Sequence, residues 1–269
     1  MSRLFLVTAL TLGAHAACAH EFWIEPEKYQ VETGENIIAD LRNGQQFEGI
    51  DLAYFANRFS RFDIAIGDQM APVEGRMGDS PALQVSLPGE GLVIAVYEET
   101  PATVTYTEWD KFIAFAKHKD FPDAIADHEA AGYSKEKFTE TYTRHVKALI
   151  ALGDGEGEDH AFGLETEFVA LTNPYAEDFN GEMRVSVQYR EAPRPDAQVE
   201  VFDRAPDGTV TVSTTRTDDE GNAVIPVTPG HEYLPDAVVL RPAEGAGSSE
   251  TAPVWETLWA ALTFAVPSR

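Results

Sequence analysis

The residues with the clearest chemical potential are histidines, and one of them stands in an unusual place. His20 follows a segment with the features of a cleaved export signal, so cleavage would make it the first residue of the mature chain. An N-terminal histidine offers its α-amino nitrogen and its ring Nδ1 to one metal ion as a chelate. One further imidazole completes the T-shaped copper site called a histidine brace, and nickel and cobalt also suit nitrogen ligands. His20 is therefore the leading candidate for a metal ligand.

The segment before His20 has the three parts of a secretory signal peptide. Arg3 supplies the positive start, residues 4–12 are apolar but too short to span a bilayer, and small residues follow. Ala17-Cys18-Ala19 fits the A-x-A cleavage rule, and cleavage after Ala19 would remove the single cysteine. No later segment has the roughly 18 consecutive apolar residues that a membrane helix needs. The sequence thus predicts a periplasmic protein that is not embedded in the membrane after cleavage.

Two further histidines are the best candidates to complete a site with His20. His145 lies near the apolar stripe of a helix predicted over residues 134–152, although a hydrogen-bonded histidine at the edge of the core is the alternative. His160 ends an acidic run where the helical segment meets the second β region. His118 is flanked by two lysines, whose charge disfavours a cation. The expected metal ligands are His20, His145 and His160.

The densest acidic run, residues 154–160, superficially resembles a calcium-binding EF-hand loop. Asp159 occupies the position where that loop requires glycine, and glutamates replace two of the shorter ligands. A solvated acidic loop that weakly attracts cations is the simpler interpretation.

Composition and missing motifs narrow the function further. The chain has 269 residues, 43% of them hydrophobic, and carries 45 acids against 20 bases for a net charge of -25. Such a surface repels phosphate backbones, so we expect no nucleic-acid partner. The sequence contains no HExxH zinc motif, no GxSxG elbow, no P-loop and no dinucleotide fingerprint. We therefore predict that the protein is not an enzyme.

The hydrophobic pattern predicts a mostly β protein. Period-two alternation or continuous apolar runs indicate strands around residues 62–66, 92–97, 183–189 and 258–266. Helical spacing appears between Thr107 and Leu152, with Phe112, Phe115 and Ala116 in a first helix, a short helix over 122–131, and a last helix over 134–152. The expected fold class is two antiparallel immunoglobulin- or transthyretin-like β sandwiches with a helical insert between them. The expected domains are a signal peptide (1–19), an N-terminal β domain (20–106), a helical insert (107–162) and a C-terminal β sandwich (163–269).

Four stretches resemble a known bacterial family. They are His20-Glu21-Phe22-Trp23-Ile24-Glu25-Pro26, the segment Thr139–Ala148, the segment from Gly163 to Tyr175, and Trp255–Phe264. Together they resemble the NikM-like periplasmic family of unknown function, whose members are often labelled periplasmic components of cobalt or nickel transport. The resemblance implies β-sandwich domains around a helical insert, an exported location and the handling of a divalent metal. The chain departs from the family pattern in Arg190–Pro195, which lacks the usual glycine before the proline.

These observations lead to two main hypotheses. In the first, the protein captures nickel, cobalt, copper or zinc in the periplasm and presents it to a membrane transporter. In the second, it is a cell-envelope module whose β sandwich binds a protein or a glycan, and the histidines are incidental. A copper-dependent oxidative enzyme with a histidine brace is a third alternative, but the sequence assigns no second histidine of the brace.

The signal peptide gives the first testable prediction. We expect cleavage after Ala19, because small residues stand at both recognition positions of the A-x-A rule. Mass spectrometry of the protein from periplasmic extract should find a mature chain that starts at His20. An intact N-terminus in cytoplasmic extract, or lipid attached to Cys18, would contradict it.

Overall fold

A computed structural model describes residues 20–249 and 251–268. The predicted signal peptide, with Cys18, lies outside these residues. Among the described residues, no helix is both long enough and apolar enough to cross a membrane.

About half of the described chain forms β-strands. In chain order they are β1 (Glu21–Pro26), β2 (Gln30–Val31), β3 (Ile37–Gln45), β4 (Glu48–Leu52), β5 (Phe59–Ile66), β6 (Gln69–Pro72), β7 (Leu83–Val85), β8 (Gly91–Glu99), β9 (Ala102–Tyr106), β10 (Phe138–Leu152), β11 (Thr166–Ala170), β12 (Glu182–Tyr189), β13 (Ala192–Pro193), β14 (Gln198–Arg204), β15 (Val210–Arg216), β16 (Asn222–Pro226), β17 (Glu232–Pro242) and β18 (Trp255–Ala265). Two helices, α1 (Trp109–His118) and α2 (Asp123–Ala130), lie between β9 and β10.

The strands form one large central sheet and two small sheets. The central sheet has the order β15-β14-β17-β18-β10-β8-β5-β6, with β2 and β9 also paired to β10. One small sheet contains β1, β3, β4 and β7, and the other contains β11, β12, β13 and β16. Strands predicted to belong to two separate sandwiches therefore share the central sheet.

Each face of the central sheet packs against one small sheet. On β8, Val93 and Ala95 contribute to a core with Trp23 and Ile37 of the first small sheet. Their neighbours on β8 point the other way, into a core with residues of the second small sheet such as Val185. Since successive side chains of a strand point to opposite faces, the molecule has three β layers.

The helices α1 and α2 cover the part of the central sheet that the first small sheet leaves open. Phe112 and Phe115 of α1 are buried against Trp255 and Trp259 of β18. The prediction of these two helices is confirmed, and Gly132 follows α2 with a positive φ of 70°. That conformation is easy for glycine and ends the helix.

The helix predicted over residues 134–152 is wrong, because this segment is the long strand β10. The apolar residues Phe138, Tyr142 and Val146 are four apart, and a spacing of four also places side chains on one face of a strand. From residue 143 onward β10 is buried on both faces, which hides the alternation that marks an ordinary surface strand. The helical insert is thus confined to α1 and α2, while the division of the chain into domains at residues 106 and 162 stays a prediction.

The sequence pattern predicted wholly antiparallel sheets, and this prediction is wrong for the central sheet. β10 pairs in parallel with β18, from Glu140 opposite Trp255 to Ala148 opposite Thr263. A parallel pair needs a crossover connection, and here the whole chain from β11 to β17 lies between the two strands.

A buried lysine attaches the loop after β10 to the central sheet. Lys147 Nζ lies 2.7 Å from Asp159 Oδ1 and 3.4 Å from Glu167 Oε1, and it donates to the carbonyl oxygens of His160 and Phe168. The three charged side chains are almost fully buried. Asp159 is therefore a structural ion-pair partner, and the interpretation of residues 154–160 as a wholly solvated acidic loop is wrong at this position.

Lys147→Met tests how far the fold depends on this ion cluster. We expect the free energy of unfolding to fall by ~3–5 kcal/mol, because two buried carboxylates lose their compensating charge. Urea unfolding of the variant and the parent chain measures the difference. The control, Lys135→Met, breaks an exposed ion pair with Glu129 and should change stability by ~1 kcal/mol or less. Equal effects of the two substitutions would contradict the assignment.

Candidate functional site

His20 stands immediately before β1 and is partly exposed. It lines a surface pocket together with Asn43 and Glu48, which lie on the β3–β4 hairpin. Its backbone carbonyl oxygen accepts a hydrogen bond from Arg144 Nη2 at 3.1 Å. The structure thus fixes the backbone of His20 and leaves part of the residue accessible to solvent.

Arg144 is itself held tightly on β10. Its Nη1 contacts both carboxylate oxygens of Glu99, at 2.9 and 3.2 Å. The guanidinium also lies over the rings of Phe22 and Tyr142, with the ring centroids 5.6 and 4.7 Å away. These contacts satisfy the charge of a buried arginine and orient it toward His20.

A cluster of buried charged side chains begins at Glu21, the residue after His20. Lys119, just after α1, lies at its centre with Nζ 2.6 Å from Glu200 Oε2 and 2.7 Å from Asp236 Oδ1. Glu21 Oε1 is more distant, at 3.8 Å. Glu21 Oε2 is buried and has no hydrogen-bond partner among the described residues. Lys119 also lies over the Trp259 ring, 4.8 Å from its centroid.

The carboxylates of this cluster are not equivalent. Burial and the nearby Asp236 raise the pKa of Glu21 to about 7. Burial acts in the same direction on Glu200, but the hydrogen bond with His118 and the charge of Lys119 outweigh it and lower the pKa to about 2. Glu200 is therefore an ionised partner of Lys119, whereas Glu21 changes its charge near neutral pH.

His118 is exposed at the rim of this cluster, but it is not an isolated surface histidine. Its Nε2 lies 3.0 Å from Glu200 Oε1, and the hydrogen bond to Glu200 raises the pKa of the imidazole. The lysine that follows it in sequence points into the cluster instead of toward solvent. Sequence reasoning missed this arrangement because the contacting residues lie about 80 or more positions away.

His145 lies on the other face of the central sheet from His20. Arg144 and Glu99 contact each other on the face of the sheet that carries His20. The neighbouring residues in sequence, His145 on β10 and Glu98 on β8, contact each other on the opposite face, where His145 Nε2 lies 3.9 Å from Glu98 Oε1. His145 is buried, and burial lowers its pKa to about 4, so the ring is neutral. Its Nδ1 has no hydrogen-bond partner in the described part of the chain. The sheet therefore separates His145 from His20.

His160 is exposed in the loop after β10. Its ring stacks on Phe162 with centroids 4.3 Å apart, and it lines a pocket with Arg61 and Met70. Its backbone is attached to Lys147, whose side chain belongs to the same face as His145. His160 is thus accessible, but it is not placed beside His20.

His128 has a structural role that the sequence did not reveal. It is fully buried beneath the helices, where Trp255 Nε1 donates to its Nδ1 at 3.0 Å and its Nε2 lies 3.1 Å from the carbonyl oxygen of Ser134. With both ring nitrogens bonded, the imidazole joins α2 to β18 and to the segment after α2. Such a satisfied histidine is part of the core.

The predicted ligands His20, His145 and His160 are therefore not brought together. Within residues 20–249 and 251–268, no three side chains of histidine, cysteine, aspartate or glutamate are arranged so that they could hold a metal ion.

Fold and geometry together describe a three-layered, mostly β protein with a partly accessible histidine before its first strand. The chain belongs to the family described as a domain of unknown function, DUF4198, whose model matches residues 17–240. The NikM-like family that the sequence motifs resemble is likewise of unknown function. The description of the matched family does not mention cobalt or nickel.

Other comparisons add little to this assignment. No curated protein matches the chain. Among solved structures, the D0-D1 domain of Intimin is 14% identical, with 90% of this chain and 97% of that chain covered, at a TM-score of 0.21. A TM-score this low supports no structural or functional conclusion.

A second buried carboxyl group provides a test of the electrostatics beneath the helices. Glu140 on β10 is fully buried, and burial raises its pKa to about 7 although hydrogen bonds from Thr257 and Tyr106 oppose the shift. Because the raised pKa belongs to the folded state, its contribution to stability is complete below about pH 4.5 and is lost as the pH rises through about 7.

Glu140→Gln should therefore flatten the dependence of the unfolding free energy on pH. The parent should lose up to ~3 kcal/mol through this group between about pH 4.5 and pH 8, whereas the neutral amide has no proton to lose. Urea unfolding at several pH values from about 5.5 to 8 measures the slope. Glu21 adds its own slope to both chains, so the difference between them is the relevant quantity. An exposed control, Glu136→Gln, should leave the slope unchanged, and an unchanged slope in Glu140→Gln would refute the raised pKa.

Proposed function

We propose that the protein is an exported metal-binding protein that captures a divalent transition metal at His20. The observation that carries the proposal is the placement of His20, which is partly accessible, is fixed through its carbonyl oxygen by Arg144, and opens on a pocket. A ligand whose backbone is already ordered loses less conformational entropy on binding.

The chelate would come from His20 alone. Cleavage after Ala19 would release its α-amino nitrogen, which together with ring Nδ1 would give two nitrogen donors from a single residue. Nickel, cobalt, copper and zinc all accept such nitrogen ligands, so the donor set does not select one of them.

Further ligands would come from the same side of the central sheet. Glu48 and Asn43 line the pocket with His20 and carry oxygen atoms that can complete the coordination of a borderline metal. His145 and His160 lie elsewhere, so we prefer the pocket residues to them as partners of His20. Delivery of the metal to a membrane transporter has no support besides the family resemblance and stays a prediction.

Calorimetric titration of the processed protein with Ni²⁺, Co²⁺, Cu²⁺ and Zn²⁺ tests this proposal. We expect one site tighter than the millimolar range for at least one ion, and weaker binding below about pH 6 because nitrogen ligands must lose a proton to coordinate. Binding should also raise the melting temperature. His20→Ala and an N-terminal extension by one alanine should both weaken binding strongly.

Histidines outside the pocket provide the controls. His118→Ala and His160→Ala should leave the affinity nearly unchanged, since neither side chain lines the pocket of His20. If extension by one alanine has no effect, the amino-terminal chelate is wrong. If His160→Ala weakens binding as much as His20→Ala, the three-histidine arrangement expected from sequence is to be preferred.

The second candidate function is a cell-envelope module that binds a protein or a glycan without a metal. It is favoured by a broad surface groove between the loop after β10 and the loop after β11, lined by Glu156, Glu158 and Asp178. A groove of this charge suits a basic partner. Flat metal titrations together with a cell-envelope partner that co-purifies specifically would support this function over metal capture.

A further inference from the structure

Among residues 20–249 and 251–268, no strand pairs with the outer edge of the central sheet at β15, whose backbone groups there are unpaired. β15 pairs with β14 along its whole length, from Val210 opposite Arg204 to Arg216 opposite Gln198, and it is the last strand on that side. Five of its seven residues are exposed and the other two are partly exposed. A strand in this position is a template for pairing with another strand.

The hydrogen-bond pattern defines which groups face outward. The N–H of Thr217 donates to Ala197, and the N–H of Ala205 donates to Thr209, so the odd-numbered residues of this segment pair with β14. In an antiparallel ladder the residues between them direct N–H and C=O the other way. Val210, Val212, Thr214 and Arg216 therefore point their backbone groups away from β14.

Three other strands at sheet edges, β6, β13 and β4, carry features that discourage pairing. β6 has only four residues and ends at Pro72, and β13 has two residues of which one is Pro193. β4 carries the charged residues Glu48 and Asp51. Short length, proline and charge are the usual protections of an edge strand. β15 has none of them from Val210 to Thr215, whose sequence is Val-Thr-Val-Ser-Thr-Thr.

The sequence of β15 is complementary to itself in the antiparallel direction. With a two-fold axis at Ser213, Val212 faces Thr214 of a second copy and Thr211 faces Thr215. The outward backbone groups then meet, because Val212 and Thr214 both belong to the outward set. Cross-strand pairs of threonine and of β-branched residues stabilise antiparallel sheets. The segment 210–217 also contains no carboxylate, although the chain as a whole has 45 acids.

We propose that β15 pairs with β15 of a second copy of this chain, so that the two central sheets form one continuous sheet across a two-fold axis at Ser213. Such an interface is isologous, which is the commonest arrangement in protein dimers. Two chains of net charge -25 repel each other, so association should strengthen when salt screens that repulsion.

Disulfide trapping tests the register directly. In the full chain with Cys18→Ser, Ser213→Cys introduces the only cysteine. In the proposed dimer the two Ser213 residues form a non-hydrogen-bonded pair with Cα atoms ~4.5 Å apart, which a disulfide can bridge. Mild oxidation at increasing protein concentration should convert most of the chain to a covalent dimer, which non-reducing electrophoresis detects.

Thr211→Cys in the same background is the matched control. Thr211 is equally exposed, but in this register it faces Thr215, which leaves the two copies of residue 211 ~13 Å apart along the strand. We expect at least a several-fold lower yield of covalent dimer. Equal yields from the two variants would show random collision and would overturn the proposal.

Sedimentation equilibrium of the unmodified chain supplies the second measurement. The mass should double with rising protein concentration, and more readily at high salt. Thr214→Pro removes an outward N–H without removing a bond to β14, so it should abolish the doubling while thermal unfolding shows that the fold is kept. Met70→Lys, on the exposed β6, should leave the doubling intact. A chain that stays monomeric at every concentration and salt, or a Thr214→Pro variant that is folded and still dimeric, would overturn the proposal.

Discussion

The burial of β10 on both of its faces is the constraint on which the rest of the structure depends. A strand with water on neither side needs a covering layer above and below, and each of the two small sheets supplies one. The helices α1 and α2 complete the cover where the first small sheet ends. Charged residues of β10 that are buried this way need partners inside the protein. Arg144 contacts the carboxylate of Glu99 and the carbonyl oxygen of His20, and Lys147 contacts two carboxylates and two carbonyl oxygens.

The same constraint determines the electrostatics near His20. Arg144 is oriented by Glu99 and reaches the His20 carbonyl oxygen from within the sheet. Lys119 is paired closely with Glu200 and Asp236, whereas Glu21 lies farther from its ammonium group. Of the three carboxyl groups, Glu21 therefore has its negative charge compensated least. A residue that changes charge near neutral pH consequently lies next in sequence to the proposed ligand.

The local pattern of hydrophobic residues was sufficient to predict several strands and helices, but it was not sufficient for β10 or for the order of the strands. The alternation at Phe62, Ile64 and Ile66 predicted β5, and the apolar run from Leu92 predicted β8. β10 was missed because residues spaced by four satisfy both a helix and a strand, and burial of both faces removed the polar positions that distinguish them. The order of strands, and above all the parallel pairing of β10 with β18, depends on contacts between residues more than a hundred positions apart.

The predicted site was affected by the same error. If residues 134–152 formed a helix, His145 would lie on the same face as Tyr142. That placement says nothing about the distance between His145 and His20. On a strand, neighbouring residues point to opposite faces, and this places Arg144 beside His20 and His145 away from it. The sequence singled out His20 as a candidate metal ligand, since that inference needed only the cleavage rule, and this role stays a prediction. The partners of His118 and Lys119 left no local signal.

β18 lies outside the region that the family model matches, and this matters when a fragment of the protein is designed from that match. The family match ends at residue 240, before β18 begins at Trp255. A fragment with those limits would lack the strand that lies between β10 and β17, and it would expose both of their edges along with the apolar residues that Leu262 and Phe264 cover. The strand β18 thus belongs to the folding unit, and the central sheet can close only after β18 has been synthesised. Until β18 has been synthesised, the strand that joins β10 to β17 is missing from the central sheet.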